Sequence, residues 1–247
     1  MLWIDSLFAR CFDGTKAYYV AALLLYGAVP HTLAQTALPA GDSMAKRMQA
    51  CTTCHGAEGK TANEAYFPRI AGKPAGYLYN QLRNFRDGRR HYGLMVGMVE
   101  HLSDAYLLEM AHYFANLDLP YPPPKAIKPG TMAATLARGQ AMVTQGDKAR
   151  GIPACTACHG VALMGVTPAI PALLGLPRDY VAGQIGSWQT GLRRAQAPDC
   201  MHRIVQVLQA DDVDAVASWL AAQPVPLLSK AAASLPAPLP EPCGGVP

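Results

Sequence analysis

Apolar residues recur three and four apart through much of this 247-residue chain, and the pattern they draw occurs twice. Tyr77, Leu78, Leu82 and Phe85 lie along one stripe with Gln81, between Pro74 and Gly88, which predicts a helix that starts after the proline and ends before the glycine. A second stripe joins Leu107, Met110, Ala111 and Phe114. Ser103 is placed to cap that helix, and Asn116 and Pro120 to stop it. In the other half, Asp211 and Asp212 suit a helix N-terminus, and Val213, Val216 and Leu220 form its buried face. A further amphipathic stretch covers 136–145. No segment alternates as a strand would, so the fold class is all-α.

The two halves align residue by residue. Pro68 and Gly72, then Tyr77, Gln81, Phe85, Gly88 and Arg90, match Pro171, Gly175, Tyr180, Gln184, Trp188, Gly191 and Arg193, each at an offset of 103. Farther on, Leu102, Leu107, Met110 and Phe114 match Leu208, Val213, Val216 and Leu220 at an offset of 106. The chain is an internal duplication with small gaps.

The ends and the middle are different in kind. Residues 1–34 read as an export signal, with Arg10 and Lys16 before an apolar run at 17–29 and a small-residue cleavage site at Thr32-Leu33-Ala34. The run is short of the ~20 residues that a membrane span needs; an uncleaved anchor and a peripheral membrane association are the alternative. Between the repeats, Leu119-Pro-Tyr-Pro-Pro-Pro124 predicts a semi-rigid extended spacer. The expected organisation is a signal at 1–34, a first domain at 35–119, a linker at 120–130, a second domain at 131–223 and a Pro-rich tail without regular structure at 224–247. A net charge of +4 gives no case for nucleic acid.

Each unit contains Cys-x-x-Cys-His: Cys51, Cys54 and His55, then Cys155, Cys158 and His159, at an offset of 104. This is the attachment signature of c-type haem. Two thiols add across the porphyrin vinyl groups, and the next residue ligates the iron. A four-cysteine zinc site has no use for a histidine after each pair. A redox dithiol would sit near a βαβ pattern, which is missing here. Two covalent haem c groups are therefore expected, and attachment of this kind fits export to the periplasm.

A low-spin electron carrier needs a sixth iron ligand. Of His91, Met95, Met98, His101, His112, Met201 and His202, only Met95 and Met201 recur in register, each seven residues before a matched leucine. They are the expected ligands, with Met98 in reserve and the four histidines as surface or cap residues. The carbonyls of Pro68 and Pro171 are candidates to accept a hydrogen bond from the proximal histidines and fix their rings. Arg90 and Arg193, the repeated pair of a basic cluster that also holds Arg83, Arg86, Arg89 and Arg194, are expected either to neutralise haem propionates or to face the other domain.

Together these residues resemble the dihaem cytochromes c4, over roughly 42–222. Residues 150–160, RGIPACTACHG, look especially like that family's entry into its second domain. The resemblance implies two class I cytochrome c folds about a pseudo-twofold axis, and iron ligands His55/Met95 and His159/Met201. It also implies a periplasmic carrier of single electrons, from a bc1-type complex or a periplasmic dehydrogenase to an acceptor such as a terminal oxidase. The second unit departs from the pattern in running Val161-Ala-Leu-Met-Gly165 where a Gly-rich turn is usual after the motif, and two cysteines depart from it as well: Cys200, beside Met201, and Cys243, in the Pro-rich tail. In an oxidising compartment they are expected to pair. The alternative is a dihaem enzyme of the thiosulfate dehydrogenase type, with Cys200 as a thiolate ligand to iron.

Overall fold

The computed structural model describes residues 42–61, 67–124, 126, 130, 132–227 and 230–246. The expected signal segment at 1–34, with Cys11, lies outside the described residues. In the first repeat, α1 (Met44–Arg47) leads into α2 (Gln49–His55), which contains the Cys-x-x-Cys-His motif, followed by α3 (Ala75–Arg86), α4 (Gly93–Val99) and α5 (Asp104–Ala115). In the second, α6 (Ala133–Thr144) precedes α7 (Cys155–His159), α8 (Arg178–Gln189), α9 (Cys200–Gln206) and α10 (Ala210–Ala222). Ser103 caps α5 by accepting from the Tyr106 N–H, and Asn116 closes it. Pro74 stands just before α3, and Gly88 beyond it takes φ +74°, a conformation that glycine adopts without strain.

Each repeat has its own apolar core. Leu78, Phe85, Val99, Leu107, Met110 and Phe114 form the first, where α3 packs on α5. Val143, Leu174, Ile185, Val205, Val216 and Leu220 anchor the second, where α10 packs on α6 and α8. The pattern of periodic positions named these stripes correctly. It gave no sign of a small antiparallel hairpin, β1 (Gly165–Val166) with β2 (Ile170–Pro171). Two residues per strand are too few to display an alternation.

Two contacts fix the second core. Gly139 faces α10 so closely that a Cβ there would lie 2.2 Å from the Ala215 carbonyl oxygen. Asp212, fully buried, forms a capping box with Gln209 and accepts from Arg138 (2.6 Å) and Arg150 (2.7 Å). Burial alone would raise its carboxyl, but the Arg150, Gln209 N–H and Arg138 hydrogen bonds outweigh it and hold the group well below the usual carboxylate range. From its place in the chain Asp212 reads only as a helix-start acid; its arginines come from elements far away in the chain.

Gly139→Ala should destabilise the haem-loaded protein by about 1–3 kcal/mol in urea denaturation through overpacking, despite a gain in helix propensity of about 1 kcal/mol. Unchanged stability would show that α6 and α10 can part. Because the Asp212 pKa is depressed on folding, its contribution is complete above the unfolded value of about 3.9 and fades as pH falls through the lower folded one. Asp212→Asn should therefore cost about 3 kcal/mol near neutral pH, since it takes the anion from Arg138 and leaves Arg150 with Asp147 alone. The gap from wild type should close below about pH 4; a gap independent of pH would exclude the charge as its cause.

Candidate haem sites

The sites are built from pieces that the duplication supplies twice. At the end of α2, the His55 ring donates from Nδ1 to the Pro68 carbonyl at 2.8 Å; at the end of α7, His159 does the same to Pro171 at 2.8 Å. A carbonyl can only accept, so each ring carries its proton on Nδ1 and leaves Nε2 as the free donor to a metal. Burial is the larger influence on both rings and pulls their pKa down, which favours the neutral ligating form; the carbonyl bond acts in the other direction.

All four motif cysteines are unpaired thiols. Burial pushes Cys51 and Cys158 upward, and Cys155 to about 11, so they are not tuned as reactive thiolates. One continuous cavity of about 700 Å³ is lined by both motifs, both prolines, Met95 and Met201. Met98 also borders it but is 48 % exposed, whereas Met95 and Met201 are half-buried. His91, His101 and His112 are exposed; His202 is not a simple surface residue, since its Nδ1 is buried.

Arg90 and Arg193 meet across the seam between the repeats. They form an antiparallel backbone bridge, flanked by His91 N–H to Leu192 O at 2.8 Å and Arg194 N–H to Arg89 O at 2.6 Å. Arg90 donates to Gln81 (3.0 Å) and to Gln184 (2.6 Å), and Arg193 to Gln184 (2.7 Å) and Gln81 (3.0 Å). Each guanidinium also lies over an aromatic ring of its own repeat, Phe85 or Trp188. Of the two roles expected for this pair, facing the other repeat is the one seen. The rest of the basic cluster behaves as a surface face, with Arg86 and Arg89 paired to Asp87 and Arg86 also to Asp104.

Two buried cations near the first motif escaped the sequence analysis. Arg69 is fixed by the carbonyls of Ala71, Leu119 and Pro120 and stacks on Tyr121 at 4.0 Å. Lys73 lines the cavity, is 4 % exposed, and its Nζ has no hydrogen-bond partner among the described residues. At the shared offset these positions become Ala172 and Leu176. That mismatch inside an otherwise faithful repeat was the available signal.

The two departing cysteines also meet. Cys200 and Cys243 are joined by a disulfide. The tail is held further by Gly244 N–H to Pro198 O (2.9 Å), Asn80 to Gly245 O (2.7 Å) and an Arg203–Glu241 ion pair. Leu239, Cys243 and Val246 line the cavity. The thiolate role considered for Cys200 is thereby corrected: a sulfur bonded to sulfur has no negative charge to offer an iron.

Comparison with known proteins agrees with this arrangement. Residues 43–117 match the cytochrome c family. The chain is 33 % identical over 186 residues to cytochrome c4 of Pseudomonas aeruginosa, a match covering 73 % of this chain and 88 % of that one. The chain belongs to the dihaem cytochrome c4 family. It is also 39 % identical over 175 residues to the thiosulfate dehydrogenase electron acceptor of Thiomonas intermedia (strain K12), covering 71 % of this chain and 79 % of the relative. Among solved structures, thiosulfate dehydrogenase TsdBA from Marichromatium purpuratum superposes with a TM-score of 0.62 at 31 % identity; the match covers 70 % of this chain but only 36 % of that one.

As a cytochrome c4, the protein carries two covalently bound haem c groups and transfers electrons. The residues fit them: two pairs of free thiols, two oriented imidazoles, a thioether for each repeat, and buried cations for the haem carboxylates. For the tail, non-reducing peptide mapping should recover the Cys200 and Cys243 peptides linked. Cys243→Ser should expose residues 230–246 to proteolysis and cost up to about 4 kcal/mol, the loop-closure value for a 43-residue separation. Separate peptides, or a tail as resistant as before, would refute the pinning.

Proposed function

We propose that this cytochrome c4 is a periplasmic electron acceptor for a dehydrogenase of the thiosulfate-oxidising kind, and hands its electrons on to a further redox protein such as a terminal oxidase. The observation that carries this reading is the 39 % identity to a thiosulfate dehydrogenase electron acceptor. It exceeds the 33 % identity to a cytochrome c4 over a similar share of the chain. Coupling two thiosulfate ions through a new sulfur–sulfur bond releases two electrons, which two haems can take one each.

Within this reading, Cys51, Cys54, Cys155 and Cys158 would hold the haems by thioether bonds, and His55 with Met95 and His159 with Met201 would ligate the two irons. Two ligands from the chain for each iron would leave no open place for a substrate. The Pro68 and Pro171 carbonyls hold the two imidazoles at fixed angles. The disulfide at Cys200 supports a carrier over a catalyst, because it removes the thiolate on which the enzyme alternative depended. Of the described residues, no helix is long and apolar enough to cross a membrane. Periplasmic placement rests on the signal-like sequence at 1–34 and on the chemistry of haem attachment.

Stopped-flow mixing tests the function. Thiosulfate alone should leave both haems oxidised, whereas thiosulfate with a catalytic amount of a purified thiosulfate dehydrogenase should reduce both. Reduction by thiosulfate alone, with turnover, would make the protein an enzyme. The axial assignment has its own test in near-infrared magnetic circular dichroism. Met95→Ala and Met201→Ala should each remove about half of the methionine-to-iron charge-transfer intensity, and Met98→Ala none. Loss on Met98→Ala would move the ligand by one helical turn.

A further inference from the structure

We propose that Lys73 is the counter-cation of a haem propionate in the first repeat, and that its lack of a counterpart in the second places the first haem at the higher reduction potential. The inference concerns haem c in either repeat and does not depend on which enzyme donates the electrons.

Three observations converge. Lys73 is 4 % exposed and lines the cavity, five residues beyond Pro68, whose carbonyl holds the His55 ring of the first motif. Its Nζ has no partner, and no carboxylate of the described residues pairs with it. A bare ammonium in such a place is strongly disfavoured, and Arg69 nearby adds a second positive charge. Together these two influences bring the amine to about 7 when the protein atoms alone are counted. The residue therefore either stays neutral or meets an anion that the polypeptide does not provide. A haem brings two carboxylates; both motifs border the cavity that Lys73 lines, and the loop that carries Lys73 is the one whose Pro68 carbonyl holds His55, which assigns it to the first haem.

The second repeat supplies the control. Position 73 maps onto Leu176 and position 69 onto Ala172, and both of these residues line the same cavity. The two haems thus sit in surroundings alike in thiols, imidazole, carbonyl, thioether and seam arginine (Arg90 or Arg193), but different in the cations carried at positions 69 and 73. A nearby positive charge favours the iron state that carries one charge less, which is the reduced one. Across a protein interior with an effective dielectric constant of about 20, a unit charge about 10 Å away shifts a one-electron equilibrium by roughly tenfold. One electron shared between the haems then resides mainly on the first: its iron is Fe(II) while the other remains Fe(III).

The test is a redox titration of the haem-loaded full chain, wild type against Lys73→Leu, the residue the repeat itself uses. The potential belonging to the first repeat is identified by its further fall in a Met95→His variant. Lys73→Leu should lower that potential alone, enough to repartition a shared electron about tenfold, or ~59 mV for a one-electron couple. Lys73→Arg should restore it. No shift, an equal shift of both haems, or a shift of the second only would overturn the proposal. Wild-type protein gives an independent check should the leucine variant fail to fold. In fully reduced, diamagnetic protein labelled with 15N-lysine, Lys73 should remain an ammonium from about pH 6 to pH 9, as a buried ion pair requires. A neutral amine anywhere in that range would exclude a propionate partner.

Discussion

Buried positive charge that no protein carboxylate answers is the constraint around which this molecule is arranged. At the seam, Arg90 and Arg193 share two glutamine oxygens, each of which accepts from both guanidinium groups. Neutral acceptors satisfy the N–H donors but leave the charge in place, and the aromatic faces of Phe85 and Trp188 offset only part of it. Arg193 shows the strain of this: it is buried, its Nε is unpaired, and its pKa falls to about 10 through desolvation and the neighbouring Arg90. The repeats are therefore joined by a polar cluster of two guanidinium groups, two amide oxygens and two aromatic faces.

Duplication made the two sites, and later divergence made their surroundings unequal. In the first repeat, α4 leaves Leu94 63 % exposed and Met98 48 % exposed beside Met95. The matched positions in α9 are Cys200 and Ile204, both partly buried, and Cys200 ties down a tail that borders the cavity. One methionine helix thus presents an apolar face to solvent, and its twin is partly covered by the chain's own C-terminal segment. A redox partner meets two different surfaces, even though the donor atoms beneath them are the same.

Most of what the duplication repeated could be read from the sequence. The stripes of α3, α5, α8 and α10 and the two proline carbonyls all had a second copy against which to be checked, and the Ser103 cap was legible from its own residue type. The pairing of Cys200 with Cys243 was legible for a different reason: haem chemistry used every other cysteine of the repeats. Arg69 and Lys73 lie in a loop where long cations normally reach solvent, and only the fold shows that they turn inward. Asp212 announces a helix start, but the sequence does not tell that Arg138 and Arg150 converge on it from 74 and 62 residues away. Local pattern specifies elements and caps; partners brought together by tertiary packing leave no periodic trace.

The linker illustrates how such unannounced partners decide function. Its proline cluster suggests a stiff spacer, but stiffness alone would not hold two redox centres at a constant separation. Arg69 donates to the carbonyls of Leu119 and Pro120 and so binds the start of the linker to the first repeat. The ring of Tyr121 lies against Gly175 so closely that a Cβ there would be 2.4 Å away, which binds the next residue to the second repeat. Arg69 and Tyr121 stack on each other between these two attachments. The first residues of the linker are thus fastened to both repeats, on the side of each that follows its histidine-supporting proline. With the arginine–glutamine seam as the second fastening, the two histidine sites have little freedom to separate. Electron exchange between the haems then depends on their chemistry and charge environment, and not on a fluctuating distance.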